Sequence, residues 1–173
     1  MWLASWLRTL FQVVFRGGSP RPRPGGLLQC TNYQTQAQGY GPNPTGCAGG
    51  TITVYDFAGN LIEYGTGSPH TLVRAQGAGG PLAHQGLESG LRTEIRPSAP
   101  AAVVEIELVH YAQPARVTAF DNLGAVTWQQ VMTAPQGQPQ QFHITPMTPA
   151  NLIGRVEIQA PADETLTLMV CLP

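Results

Sequence analysis

Two hydrophobic periods divide the chain. Over residues 1–16, MWLASWLRTLFQVVFR, the polar side chains Ser5, Arg8, Thr9, Gln12 and Arg16 recur at spacings of three and four. That spacing gathers them into one stripe of a helix. Trp2, Leu3, Trp6, Leu7, Leu10, Phe11, Val13, Val14 and Phe15 fill the rest of the circumference. The pattern predicts an amphipathic helix with a wide apolar face. From about residue 50 the period becomes two. The runs TITVY, NLIEY, HTLVRA, LRTEIR, AVVEIELV, ARVTAF, AVTWQQV, QQFHIT, GRVEIQ and ETLTLMV are rich in β-branched and aromatic residues, with Gly, Pro and Asn clusters between them.

Within VVEIELVH, Val104, Ile106 and Leu108 share one face while Glu105 and Glu107 share the other, as in an antiparallel sheet with one buried side. The same parity places Val117 and Ala119, Val156 and Ile158, and Leu166, Leu168 and Val170 inward. In AVTWQQV it puts Val126 and Trp128 on one face, with Thr127 and Gln129 on the other. If Val126 faces the core, Trp128 is buried with it. About ten short strands and no helical period between them predict an all-β antiparallel sandwich or jelly roll. Its expected bounds are 28–173, after a helix over 1–16 and a Pro/Gly-rich arm over 17–27.

The arm, GGSPRPRPGG, has no means of forming regular structure, and its alternating prolines favour an extended path. The helix before it is about 24 Å long, short of the ~30 Å hydrocarbon layer, and Arg8 interrupts its apolar face. It is therefore a poor membrane span. It also lacks the positive leading region and the A-x-A-like site of a cleavable secretory signal. Its apolar face is expected to dock onto protein, through Trp2, Leu3, Trp6, Leu7, Leu10, Phe11, Val13 and Val14. Adsorption to a membrane surface is the other use of such a face.

Composition sharpens this picture. Formal net charge is −1, so there is no basic footprint for nucleic acid. Charged residues make up 11% of the chain, against roughly 25% in an average soluble domain, and a weakly charged surface associates readily. Two connections, TVYDFAGNLIEY and TAFDNLGAVTWQ, read aromatic–Asp–x–x–Gly between strands. The Asp caps the turn and the Gly accepts a positive φ. Asp56 and Asp121 are also candidate ligand or Ca²⁺ residues, although a hard cation needs six to eight oxygens. His70, His84, His110 and His143 show no metal-ligand spacing, and no metal or other cofactor is expected. Glu105 and Glu107 read as two solvated carboxylates, and His110 as a core or rim histidine. No catalytic constellation emerges.

The opening Cys30-Thr-Asn-Tyr33, the late VTAFDNLGAV and the closing NLIGRVEIQAPADETLTLMVCLP together resemble bacterial secreted β-sandwich domains of the galactose-binding-like kind, over roughly residues 28–173. Such domains open with Cys-x-x-Phe and close with a strand that carries a second Cys beside the first strand. The resemblance therefore implies a Cys30–Cys171 bridge and an extracellular or cell-surface setting. The insert QTQAQGYGPNPTGCAGG departs from that pattern and brings Cys47, a competing partner.

The expected function is that of a non-enzymatic structural or assembly subunit, homo-oligomeric or part of a larger complex, whose helix and arm dock onto a neighbouring chain. A carbohydrate-binding module is the first alternative, with Trp128, Tyr111, Tyr40 and Tyr55 as stacking candidates. A membrane-peripheral protein anchored by the helix is the second.

Overall fold

The computed structural model describes residues 27–77, 83–161 and 164–173. The expected helix, and its arm up to residue 26, lie outside the described residues. Thirteen strands occur among those described. The first three are β1 (Gln29–Asn32), β2 (Gly39–Pro42) and β3 (Thr45–Cys47). Then come β4 (Gly50–Tyr55), β5 (His70–Gln76), β6 (His84–Glu88), β7 (Arg92–Pro97) and β8 (Val104–His110). The chain finishes with β9 (Arg116–Asp121), β10 (Val126–Val131), β11 (Gln140–Ile144), β12 (Ile153–Gln159) and β13 (Thr165–Leu172).

They form two antiparallel sheets. One runs β11-β8-β13-β6-β5-β2, with β1 also paired to β13; the other runs β10-β9-β12-β7-β4-β3. The inward sets of the sequence meet between them. Val104, Ile106, Leu108, Val117, Ala119, Val156 and Ile158 are all buried in one core with Ile52, Val54, Ile95 and Leu172. Burial of this apolar surface is the main favourable term holding the sheets together.

After residue 50, two strand assignments differ from expectation. NLIEY is not a strand: after the Asp56 turn it makes one bridge, Tyr55↔Leu61, with the Ile62 amide donating to the Val54 carbonyl and the Ile62 carbonyl accepting from His70. Tyr64 then takes φ 46°, followed by Gly65 and Gly67 at positive φ, and the chain crosses from β4 in one sheet to β5 in the other. Conversely HQGLE, with no β-branched residue, forms β6. Its Gly86 packs so close to β13 that an added Cβ would sit 2.8 Å from the Thr167 carbonyl oxygen. Close backbone approach, not propensity, puts that segment in the sheet. The insert after β1 supplies β2 to one sheet and β3 to the other. Asn43 fastens the corner between them, donating to and accepting from the Val54 backbone.

Two irregularities overturn parity readings. The β13–β8 register shifts between Thr167 and Met169. Val170 and Leu172 therefore join the main core, while Leu166 and Leu168 form a separate cluster with Val109 beneath Tyr111. A second shift, between Val126 and Trp128, falls in β10. It turns Val126 outward, 50% exposed, while Trp128 packs on the core with its ring edge-on to Phe142 at 6.0 Å. One extra residue in a strand reverses the facing of everything on one side of it.

Trp128→Ala is expected to cost about 3 kcal/mol of stability through lost packing and the edge-to-face contact. A denaturant midpoint unchanged from wild type would contradict that placement.

Candidate functional site

The resemblance implied a bond between the first and last strands, and Cys30 and Cys171 are bonded, with Cα atoms 4.0 Å apart. They are direct partners in the β1–β13 register, which brings their side chains to one face. Cys47 is free and half-buried. Burial pushes its thiol up to about 11. Burial, with Cys47 adding to it, also drives the neighbouring Tyr33 phenol far up.

The docking candidates Trp2, Leu3, Trp6, Leu7, Leu10, Phe11, Val13 and Val14 lie outside the described residues. Asp56 and Asp121 do not meet. Asp56 follows β4 at one end of its sheet, whereas Asp121 closes β9 at the other, opposite Ile153. Each carboxylate serves its own turn. Asp56 accepts from the Asn60 amide at 2.8 Å, and such bonds hold its carboxyl below the usual range. Asp121 accepts from the Leu123 and Ala125 amides, both at 2.9 Å. The shared Asp-x-x-Gly pattern builds two similar turns, with Gly59 and Gly124 both at φ 84°. It does not build a joint cation site, and no metal-ligating cluster occurs among the described residues.

The other candidates each meet a partner, and Tyr40 remains 59% exposed. His110 is buried, with Nε2 2.9 Å from the Ala134 carbonyl oxygen. Glu105 meets His143 at 2.8 Å, while Glu107 accepts from Gln34, so the two carboxylates have separate partners. Tyr111 donates to the Gln76 carbonyl, and Tyr40 meets His70 edge-on. Tyr55 lies under the Arg92 guanidinium, 4.0 Å from ring centre to Cζ.

That last contact leads to the feature sequence reasoning missed. Across the outer face of the second sheet, Tyr55, Arg92, Gln159, Arg116 and Val131 are successive cross-strand partners on β4, β7, β12, β9 and β10. The Asp56–Gly59 turn rises beside this row, and with Leu91, Pro114 and Pro161 it walls a groove of about 610 Å³. That volume lies within the ~300–1,000 Å³ range of small-ligand sites. Phe57 stands at its rim, 83% exposed. One row along, Glu94 and Glu157 are cross-strand partners tied down by Arg96 and Arg155. Neither Arg92 nor Arg116 has such a carboxylate among the described residues. Parity in LRTEIR and ARVTAF sends both arginines outward. Only the register shows that they flank the same glutamine.

Reducing the Cys30–Cys171 bond, whose ends lie 141 residues apart in sequence, should lower stability by about 5 kcal/mol, read from unfolding with and without reductant. Peptide mapping of the unreduced chain should find Cys47 alone alkylated. The folded state holds the Cys47 proton to about 11, whereas the unfolded thiol releases it near ~8.5. Stability should therefore fall as pH rises through that window, and fall less in Cys47→Ala. Equal pH slopes for the two proteins would contradict the burial of that thiol.

No protein-family model matches the chain, and no curated protein matches it.

Proposed function

We propose that the chain is a non-enzymatic assembly subunit, in which the sandwich is the body and the apolar face of residues 1–16 docks onto a neighbouring protein chain. The observation that carries this reading is the covalent fastening of β1. That strand follows the Pro/Gly arm directly and pairs over only four residues, Gln29 to Asn32. A pairing so short frays easily under load. The Cys30–Cys171 bond instead ties it to β13, an interior strand of its sheet. Docking energy gathered by residues 1–16 would then act on the whole sandwich rather than peel away one strand. The low charge of the chain favours association in the same direction.

A carbohydrate-binding module is the second reading, favoured by the open groove with Phe57 at its rim. Its first stacking candidate, Trp128, packs on the core instead.

Deleting residues 1–16 should dissociate the assembly while leaving the sandwich folded, read by light scattering and far-UV circular dichroism. An unchanged particle mass would refute the assembly reading. Loss of binding to anionic liposomes, with no change of mass, would replace it with the membrane-peripheral one.

A further inference from the structure

The groove on the second sheet has a chemistry that the assembly reading does not use. Arg92 and Arg116 stand on β7 and β9, each paired in register with Gln159 of the intervening strand β12. Strand spacing sets their Cα atoms roughly 10 Å apart, so the two forks and the amide between them line up in one row that a single ligand can span. Arg92 is held by its stacking on Tyr55, which orients its plane, and its N–H edges meet no carboxylate among the described residues. Arg116 is exposed and makes no ion pair or side-chain hydrogen bond among the described residues.

The contrast with the adjacent row is informative. There the arginines meet acids: Arg96 pairs with Glu94, and Arg155 with Glu157 at 3.0 Å. Among the described residues, the one acid lining the groove is Asp56, and its carboxylate is engaged by the Asn60 backbone and side chain. Among the described residues, two guanidinium charges stand against one engaged carboxylate, which leaves this lining positive in a chain whose overall charge is −1. Phe57, Val131 and the Pro114 and Pro161 rings add apolar walls beside those charges.

We infer that this groove is a binding site for an organic carboxylate, whose oxygens are taken by Arg92 and Arg116 while its ring or chain lies against Phe57. Guanidinium forks match carboxylate geometry through paired, charge-assisted hydrogen bonds, and an amide side chain at the centre serves either a hydroxyl or an oxygen acceptor. The inference does not rest on the assembly reading, and removal of residues 1–16 should leave it intact.

The test uses the full ¹⁵N-labelled chain, titrated by NMR with three probes: glucuronate, benzoate and glucose. Both carboxylates should shift the amides around Asp56–Gly59, Arg92 and Gln159, and added salt should weaken them. Glucose should bind more weakly than glucuronate by about tenfold, the share that one charged hydrogen-bonding group carries. Arg116→Ala should cost the carboxylates a similar factor while leaving the rest of the spectrum unchanged. Phe57→Ala, at an exposed turn position, should weaken both without unfolding the chain. A preference for glucuronate assigns the source as an acidic saccharide, and a preference for benzoate assigns it as an aromatic acid. Equal binding of glucose and glucuronate would overturn the inference, as would absence of any shift at the groove with millimolar carboxylate.

Discussion

Strand β13 is the constraint around which the sandwich is arranged. It pairs with β8 along most of its length and, on its other side, with β6 and then β1. Of its eight residues only Met169 retains appreciable exposure. A strand buried on both faces cannot slip without moving apolar groups into water on one side or the other. The shift at Thr167–Met169 lets one strand feed two clusters, Val170 and Leu172 to the main core and Leu166 and Leu168 to the outer one. Gly86 is required opposite because nothing larger fits against that backbone. The disulfide then locks the terminal four pairs of β1 onto the same strand.

The outer faces show how a chain with few charges stays ordered. In the first sheet Glu88 is buried outright and is met by Arg74, beside the Leu166 cluster. In the second, Glu94 and Glu157 would repel each other across β7 and β12 if left alone. Arg96 and Arg155 offset that repulsion, and Arg155 also covers the Phe120 ring at 4.0 Å. Both glutamates are buried while Arg96 remains half-exposed, so these pairs matter mainly by leaving neither carboxylate uncompensated. Removing one member of a buried pair leaves an uncompensated charge and is costly. Against that background, Arg92 and Arg116, which meet no carboxylate among the described residues, are not what this surface does elsewhere.

Turn chemistry explains how much of the path could be read locally. Asp56 and Asp121 cap their turns as the Asp-x-x-Gly spacing requires, with Gly59 and Gly124 at the positive φ that closes each one. Yet one turn opens a long hairpin into β10 and the other yields a single bridge before the chain leaves the sheet. The difference lies downstream, in Tyr64, Gly65 and Gly67, whose backbone turns the chain toward β5.

The amino-acid order alone determined the all-β class, most strands after residue 50, their inward faces and both turns, because these depend on period and on local backbone preference. It did not determine β6, since a strand without β-branched residues exists only where a neighbour accepts it. Nor did it determine the facing of Val126 or Leu166, because a bulge is one residue of slip that the partner strand decides. The cysteine pairing came to the sequence only through resemblance, and the structure realises it by placing β1 on β13. The groove was beyond local reading altogether. Arg92, Gln159 and Arg116 are far apart along the chain, and each looks like an ordinary outward residue of its own strand. Only the antiparallel register of β7, β12 and β9 aligns them in one row, because cross-strand neighbours are chosen by long-range pairing and not by sequence proximity.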